Sequence, residues 1–263
     1  MRVRALGPIR VSISDFDIEL GSPLQRSLFA VLAMNADRVV SKQYLIEALW
    51  GLTTPPTVES SIYTYVARLR QLLEPQRPRR APSRFLMLSS SGYRLALEPC
   101  KVDALAFIRA VCQARARMDA GDLRGALEWY DGAMDLWQGP TPLADAVGPY
   151  VEAERARLVE IHFTAVEDRL GLLIGLGRPA EAIGELAALA VKYPLRERIR
   201  LLLMIAHHRT GRSAEALAEF RDLRQRLVGE LGLEPGEELQ RYHMQILQGE
   251  LGPLPASVVP ALR

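Results

Sequence analysis

The 263-residue sequence predicts a mostly α-helical protein in which an α+β N-terminal domain precedes an all-α domain. Apolar residues alternate in short runs before residue 99, as they do in strands. Helical periodicity runs almost unbroken after residue 103, and a glycine-turn pattern recurs within that stretch. We therefore expect domains at residues 1–99 and 103–250, and a disordered tail at 251–263.

The first elements are two or more strands and a helix. Apolar residues between Val3 and Leu20 alternate with polar ones, and Ser14-Asp15 offers a turn between strands. These residues predict a small antiparallel sheet. Pro23 can open a helix, whose apolar positions follow at helical spacing until residues 35–38 interrupt the pattern.

Two further helices are expected in the same domain. Ser41 is suited to cap a short helix that stops at Trp50-Gly51. Pro55-Pro56 cannot lie inside a helix but can begin one. The residues after it place one apolar stripe along a third helix: Val58, Ile62, Val66, Leu69 and Leu73.

A hairpin completes the domain. Residues 85–88 and 93–97 read as two short strands, joined by the small residues Ser89-Ser90-Ser91-Gly92. Strands, three helices and a C-terminal hairpin, in that order, describe a winged helix-turn-helix. In that fold the third helix enters the DNA major groove and the hairpin wing lies on the flanking backbone or minor groove.

The third helix has the polar face that a reading helix needs. A slim face lets the helix axis sit deep in the groove, and here it consists of Ser60, Thr64, Ala67 and Gln71. Arg68 is suited to bidentate contact with a guanine edge. Ser61, Tyr65 and Arg70 lie at the edges of the face, where phosphate contacts position the protein without specifying sequence.

Other interpretations of these residues stay open. An exposed face with Arg, Gln and Ser is also typical of any solvated helix. Tyr93, after the wing glycine, either pins the hairpin on the core or touches a phosphate, and Arg94 contacts DNA only if it points outward. Four arginines between the third helix and the hairpin form either a basic loop near DNA or a solvated linker: Arg77, Arg79, Arg80 and Arg84.

The charge of the chain divides unevenly. Residues 1–99 carry 13 Lys and Arg against 8 Asp and Glu, which is +5, whereas residues 100–263 carry 20 against 23, which is −3. A basic small domain suits an anionic partner such as nucleic acid. Only three of the 33 basic residues are lysine, and this bias towards arginine is also typical of a G+C-rich genome.

The second domain carries an internal repeat. A Gly turn followed by small Ala residues occurs at Gly121, Gly177 and Gly211, and the last two lie 34 residues apart. That spacing matches the helix-turn-helix period of tetratricopeptide repeats. Small residues after the turn let paired helices approach closely and stack into one core. A peptide-binding adaptor with a concave repeat surface is therefore an alternative function.

Signals for catalysis, cofactors and membranes are missing from the sequence. We find no glycine-rich phosphate loop, serine nucleophile elbow, zinc-protease histidine motif or dinucleotide fingerprint. His207 and His208 are adjacent and face about 100° apart on a helix, so they cannot chelate one metal together. Without an apolar run at the start or one long enough to cross a bilayer, we expect a cytoplasmic protein that is not an enzyme and has no cofactor.

The chain resembles the Streptomyces antibiotic regulatory protein family, which joins an OmpR/PhoB-type winged helix to a tetratricopeptide-like bacterial transcriptional activation domain. The matching pieces occur in order across roughly residues 1–250. In the first domain they are Leu6-Gly7-Pro8, Val39-Val40-Ser41, residues 45–51, residues 65–70 and residues 92–95. In the second they are Val102-Asp103, residues 136–139, residues 194–197 and residues 231–239.

The resemblance implies a sequence-specific transcription activator of a secondary-metabolite, or antibiotic, gene cluster. It implies binding to direct repeats in double-stranded DNA as a side-by-side pair or homodimer, and recruitment of RNA polymerase through its sigma and other subunits. A repressor that blocks polymerase remains an alternative. The Ser89-Ser90-Ser91 tip departs from relatives that carry arginine or prolines there, so a minor-groove arginine is not expected from the tip. With no further domain after residue 250, the sequence suits either a small stand-alone member or the N-terminal part of a larger regulator.

Overall fold

The computed structural model describes residues 1–14, 16–52, 56–78 and 81–249. Six short strands occupy the first part of the chain together with three helices, and seven further helices follow within the described residues. The predicted order of an α+β part followed by an all-α part is confirmed. The predicted tail at 251–263 lies outside the described residues, as do Asp15, Pro55, Arg79 and Arg80.

An antiparallel sheet opens the chain. It consists of β1 (Arg2–Arg4), β2 (Arg10–Ile13) and β3 (Phe16–Ile18), with β2 in the centre. Val11 pairs with Val3 on one side and Ile18 on the other, so apolar side chains share one face. Val3 and Val11 are buried, as the alternation predicts.

Helix α1 (Pro23–Met34) begins where Pro23 was expected to open it. The Ser22 hydroxyl accepts a hydrogen bond from the Gln25 N–H, and proline occupies the first turn, where its missing N–H costs nothing. The helix ends at Asn35, whose side-chain amide donates to the Val31 carbonyl at 2.8 Å. Phe29, Leu28 and Leu32 are fully buried and anchor the core.

Helices α2 (Lys42–Trp50) and α3 (Val58–Leu73) follow, and a second sheet frames them. Ser41 caps α2 through its hydroxyl, as predicted. The second sheet has the order β4 (Val39–Ser41), β6 (Gly92–Leu95) and β5 (Leu86–Ser89), all antiparallel. The predicted hairpin is thus confirmed, with β5 as an edge strand.

The rest of the described chain is helical after a short 3₁₀ turn at Pro99–Lys101. The Gly turns at residues 121, 177 and 211 each lie between two helices and have φ of 77°, 77° and 79°, a conformation that favours glycine. Helix α8 packs against both α7 and α9. The helices are α4 (Asp103–Asp119), α5 (Leu123–Met134), α6 (Pro149–Gly175), α7 (Pro179–Lys192), α8 (Glu197–Arg209), α9 (Ser213–Leu231) and α10 (Glu237–Leu247).

The chain groups by its contacts into two compact units. Residues 1–110 and 132–162 form the first, and residues 111–131 with those from 163 onward form the second. The first unit therefore takes in more than the predicted domain 1–99, because residues 138–147 bond to the start of the chain. Gln138 N–H donates to the Leu6 carbonyl, and Leu143 N–H donates to the Ala5 carbonyl at 2.9 Å. The domain boundary near residues 99–103 stays a prediction.

Candidate nucleic-acid interface

Helix α3 presents the slim polar face that its sequence predicts. Ile62, Val66, Leu69 and Leu73 are buried in the core, so the opposite side of the helix faces outward. Five predicted contact residues are exposed there: Ser60, Thr64, Ala67, Arg68 and Gln71. Three others at the edges are partly buried: Ser61, Tyr65 and Arg70. The exposed side chains of this face are short except for those of Arg68 and Gln71, which leaves room for a partner to approach closely.

The hydroxyl groups of this face are turned inward. Ser60 and Ser61 donate to the Thr57 carbonyl, and Thr64 donates to the Ser60 carbonyl at 2.8 Å. Donation to the preceding turn uses the hydroxyl proton and leaves the oxygen lone pairs outward as acceptors. The face can thus accept hydrogen bonds from amino groups on base edges without lengthening any side chain.

Arg68 is an exposed cation on this face of α3. Among the described residues it forms no ion pair and no hydrogen bond, although it is exposed on the same helix as several polar groups. An unpaired guanidinium keeps all five N–H donors for a partner, and its planar fork matches the two acceptors of a guanine edge. Its position suits the predicted base contact.

Arg70 is engaged inside the protein. Its Nε donates to the Leu86 carbonyl of edge strand β5 at 2.9 Å, and its guanidinium carbon lies 5.9 Å from the centre of the Tyr93 ring. Burial lowers the pKa of the Arg70 guanidinium, an effect that the neighbouring Tyr93 opposes. Arg70 therefore ties the wing to α3, and only the rest of its guanidinium is available for a phosphate.

Tyr93 and Arg94 lie on β6, where strand alternation sends them to opposite faces. Tyr93 is 2% exposed, and burial raises the pKa of its hydroxyl. Its ring pins the hairpin on the core, one of the two interpretations that the sequence left open. Arg94 points to the outer face, where it pairs with Asp37 at 3.1 Å and contacts the Met87 sulfur.

Gly92 allows the wing to pair closely with β4. A Cβ atom at this position would lie 1.9 Å from the Val40 carbonyl oxygen, so any side chain would separate the two strands. Gly92 pairs directly with Ser41, the cap of α2. This pairing fixes the position of the wing relative to the start of α2.

The Lys42–Tyr63 pair lies beside the predicted face but was not selected from the sequence. The Lys42 ammonium donates to the Tyr63 hydroxyl at 2.7 Å and lies 4.9 Å from its ring centre. That hydrogen bond raises the pKa of Lys42. The sequence does contain a signal for this pair, because Lys42 directly follows the Ser41 cap and Tyr63 is an aromatic residue outside the apolar stripe of α3.

The basic loop after α3 is partly held by its own residues. Arg77 donates to the Ala81 carbonyl at 2.5 Å and lies 3.9 Å from Glu74, which also accepts from Ser83. Arg84 is exposed beside the Phe85 ring. Arg79 and Arg80 lie outside the described residues. Taken together, the ten predicted contact residues stay a prediction, with Arg68 and the α3 face outward and Tyr93 inward.

Three helices framed by two small sheets, with a polar third helix and a hairpin wing, define a winged-helix protein joined to helical repeats. Two family models match the chain accordingly. The model described as "Transcriptional regulatory protein, C terminal" matches residues 17–95, and the one described as "Bacterial transcriptional activator domain" matches residues 102–247.

Relatives share both parts. The chain is 39% identical to the regulatory protein AfsR of Streptomyces coelicolor over 95% of its own length and 24% of that protein. It is 36% identical to the transcriptional regulator RedD of the same species, covering 94% of this chain and 70% of RedD. It is 31% identical to the regulatory protein DnrI of Streptomyces peucetius, covering 96% of this chain and 94% of DnrI.

A solved structure has the same architecture. Mycobacterium tuberculosis EmbR, determined in complex with a low-affinity phosphopeptide, superimposes with a TM-score of 0.85 at 30% identity, over 97% of this chain and 66% of EmbR. The chain belongs to the Streptomyces antibiotic regulatory protein family, as the resemblance of its motifs predicted. It spans about a quarter of the length of AfsR. None of the helices in the described ranges is both long and apolar enough to span a bilayer.

Proposed function

We propose that this chain is a DNA-binding transcription activator that reads the major groove with α3. The observation that carries the proposal is the outward face of α3, on which Arg68 is unpaired among the described residues and the neighbouring hydroxyls offer acceptors. The hairpin wing packs on the core through the buried ring of Tyr93, and Arg70 joins it to α3 by a hydrogen bond. The net charge of +5 over residues 1–99 supports attraction to the phosphate backbone.

Membership of the family supports a finer proposal. The chain binds direct repeats upstream of promoters in a secondary-metabolite gene cluster, as a side-by-side pair. The helical repeats of the second part contact RNA polymerase, including its sigma subunit. Such a role on chromosomal DNA belongs to the bacterial cytoplasm.

The first experiment selects target sequences and measures binding. Purified protein is incubated with sheared DNA from a Streptomyces genome, and enriched fragments are tested by gel shift between 50 and 200 mM salt. We expect a shift whose affinity falls by about a hundredfold or more over this range, because each neutralised phosphate releases counterions. A protein that enriches no fragment and shifts no DNA would instead support the peptide-binding adaptor.

The second experiment separates activation from repression. A selected promoter is transcribed in vitro by purified RNA polymerase, with and without the protein. We expect more transcript when the protein is present, and the same amount with a promoter whose repeats are scrambled. Less transcript from the intact promoter would identify a repressor and overturn the activator proposal.

A further inference from the structure

A cleft lies beside the predicted reading face, between the start of α1 and the second half of α3. It has a volume of about 580 Å³ and belongs entirely to the first unit. Gly21, Ser22 and Gln25 form one wall. The other wall consists of Arg68, Gln71, Leu72 and Pro75. Two residues of the predicted DNA face therefore also line this cleft.

Gln25 brings an unused polar group into the cleft. The residue is only 2% exposed, yet its side-chain amide forms no hydrogen bond to any described residue. The amide atoms do not belong to the polar atoms of the described residues that are fully shut off from solvent, so they keep a small contact with the cleft and can bond to a group that enters it. The carboxamide lies against Gly21, where a Cβ would approach its oxygen to 3.1 Å. Its position suits a partner that arrives from outside.

The charges around the cleft favour an anion. Helix α1 begins here, and the positive end of its dipole faces the same space. Its Ser22 cap satisfies the Gln25 N–H, whereas the Leu24 N–H donates to no described residue. Arg68 adds a positive charge that is unpaired among the described residues, and none of the described carboxylates lines the cleft. An oxyanion that can accept from an amide and an N–H together fits this donor set.

We infer that this cleft binds one backbone phosphate of the DNA strand that flanks α3, with the Gln25 side-chain amide and the Leu24 N–H as donors. The inference rests on the proposed function, because the duplex delivers the phosphate. A phosphodiester contact from α1 fixes the depth and register of α3 in the groove. Gln25 is then a positioning residue for base reading, although it contacts no base.

The test combines a protein variant with a modified DNA. Binding is measured by fluorescence anisotropy on a selected duplex, and on a series in which one phosphate at a time is replaced by an uncharged methylphosphonate. We expect wild-type protein to lose about tenfold in affinity at one position of the flanking strand, which is typical of a hydrogen bond to a charged group. Gln25→Met should bind the unmodified duplex several-fold more weakly and show a smaller penalty than wild type at that position, because the Leu24 N–H still reaches the phosphate.

Controls keep the result interpretable. Methionine nearly matches glutamine in size, and thermal melting shows whether Gln25→Met folds. Gln25→Glu keeps the side-chain length and adds a negative charge, so it should weaken binding more than Gln25→Met at low salt. Gln113→Met, at an exposed glutamine of α4, should behave like wild type. If wild-type protein binds no duplex, the proposed function fails. If it binds but Gln25→Met keeps every methylphosphonate penalty, only the phosphate cleft is overturned.

Discussion

The backbone N–H of Ile9 donates to the Asp145 carboxylate at 2.8 Å, across 136 residues of sequence. The second carboxylate oxygen lies 3.5 Å from both Arg10 and Arg26, and the Asp145 carbonyl accepts from Arg26 at 2.9 Å. Val147 extends the same contact, because its N–H and carbonyl both bond to the Ser27 hydroxyl. The segment around Asp145 is therefore part of the winged-helix unit.

Asp145→Ala should lower the stability of that unit. The substitution leaves the Ile9 N–H without its acceptor and removes a carboxylate from between two arginines, so we expect a loss of roughly 2 kcal/mol in the free energy of unfolding. Urea titration followed by circular dichroism measures it. Asp135→Ala is the matched control, since Asp135 is exposed and has no ion pair among the described residues. Equal stability of the two variants would contradict the proposal that the contacts of Asp145 stabilise the first unit.

Arg68→Ala should relax base preference at one position of each half-site. Its guanidinium is unpaired among the described residues, so its removal costs no internal contact. We expect discrimination at that base pair to fall by roughly 1–3 kcal/mol with unchanged thermal stability. Competition binding with all four base pairs at each position measures the effect. A uniform loss over all sequences would show that Arg68 contacts phosphate only.

Arg70→Ala should weaken binding evenly across sequences and also destabilise the fold. The variant loses the hydrogen bond to the Leu86 carbonyl and the contact with the Tyr93 ring, worth roughly 1–2 kcal/mol together. Thermal melting and affinity for several duplexes give the two readouts. Arg68→Ala serves as the control, because it removes the same side chain two positions away. An unchanged melting temperature in Arg70→Ala would refute the link between α3 and the wing.

His243 should make the second unit less stable in mild acid. Its ring stacks on Phe220 with centres 3.9 Å apart, and burial, followed by repulsion from Arg221, lowers its pKa below the ordinary 6.5. The unfolded chain then binds a proton more readily than the folded one, so stability is retained above pH 6.5 and falls as the pH drops towards the lowered pKa.

The free energy of unfolding, measured between pH 7.5 and 5.5 for wild type and His243→Gln, checks this expectation. Glutamine does not titrate, so the variant should show a smaller decrease over that interval. Arg221→Ala should also reduce the decrease, since it removes the repelling charge. The same pH dependence in all three proteins would rule out a role for His243.

Much of the fold could be predicted because local patterns report it. The apolar stripe of α3, the Ser41 cap and the Gly turns of the repeats depend on residues within a few positions of one another. Part of the candidate site followed in the same way, since a residue opposite a buried stripe must face outward. Ser60, Thr64, Arg68 and Gln71 were placed correctly on the exposed side for this reason.

Other features required long-range contacts. Helix periodicity separates Arg68 from Arg70 by their positions around α3, but it does not show that Arg70 bonds to the Leu86 carbonyl and lies against the Tyr93 ring. In the sequence, Gln25 is an ordinary residue in the first turn of α1. Only the structure shows that it lines a cleft with side chains of α3. Lys42 and Tyr63 meet because α2 packs on α3.

The amino-acid sequence alone determined the three helices and the hairpin of the first part, though not strand β4, and also the helical character of the second part, the polar face of α3 and the family to which the chain belongs. Hydrophobic periodicity and helix caps depend only on residues close together in sequence, so a short segment is enough to recognise them. The tertiary structure alone decided that residues 138–147 join the winged-helix unit, that Tyr93 is buried and that Gln25 lacks a partner among the described residues. Those outcomes depend on hydrogen bonds and packing between residues far apart in sequence, whose partners no local pattern specifies.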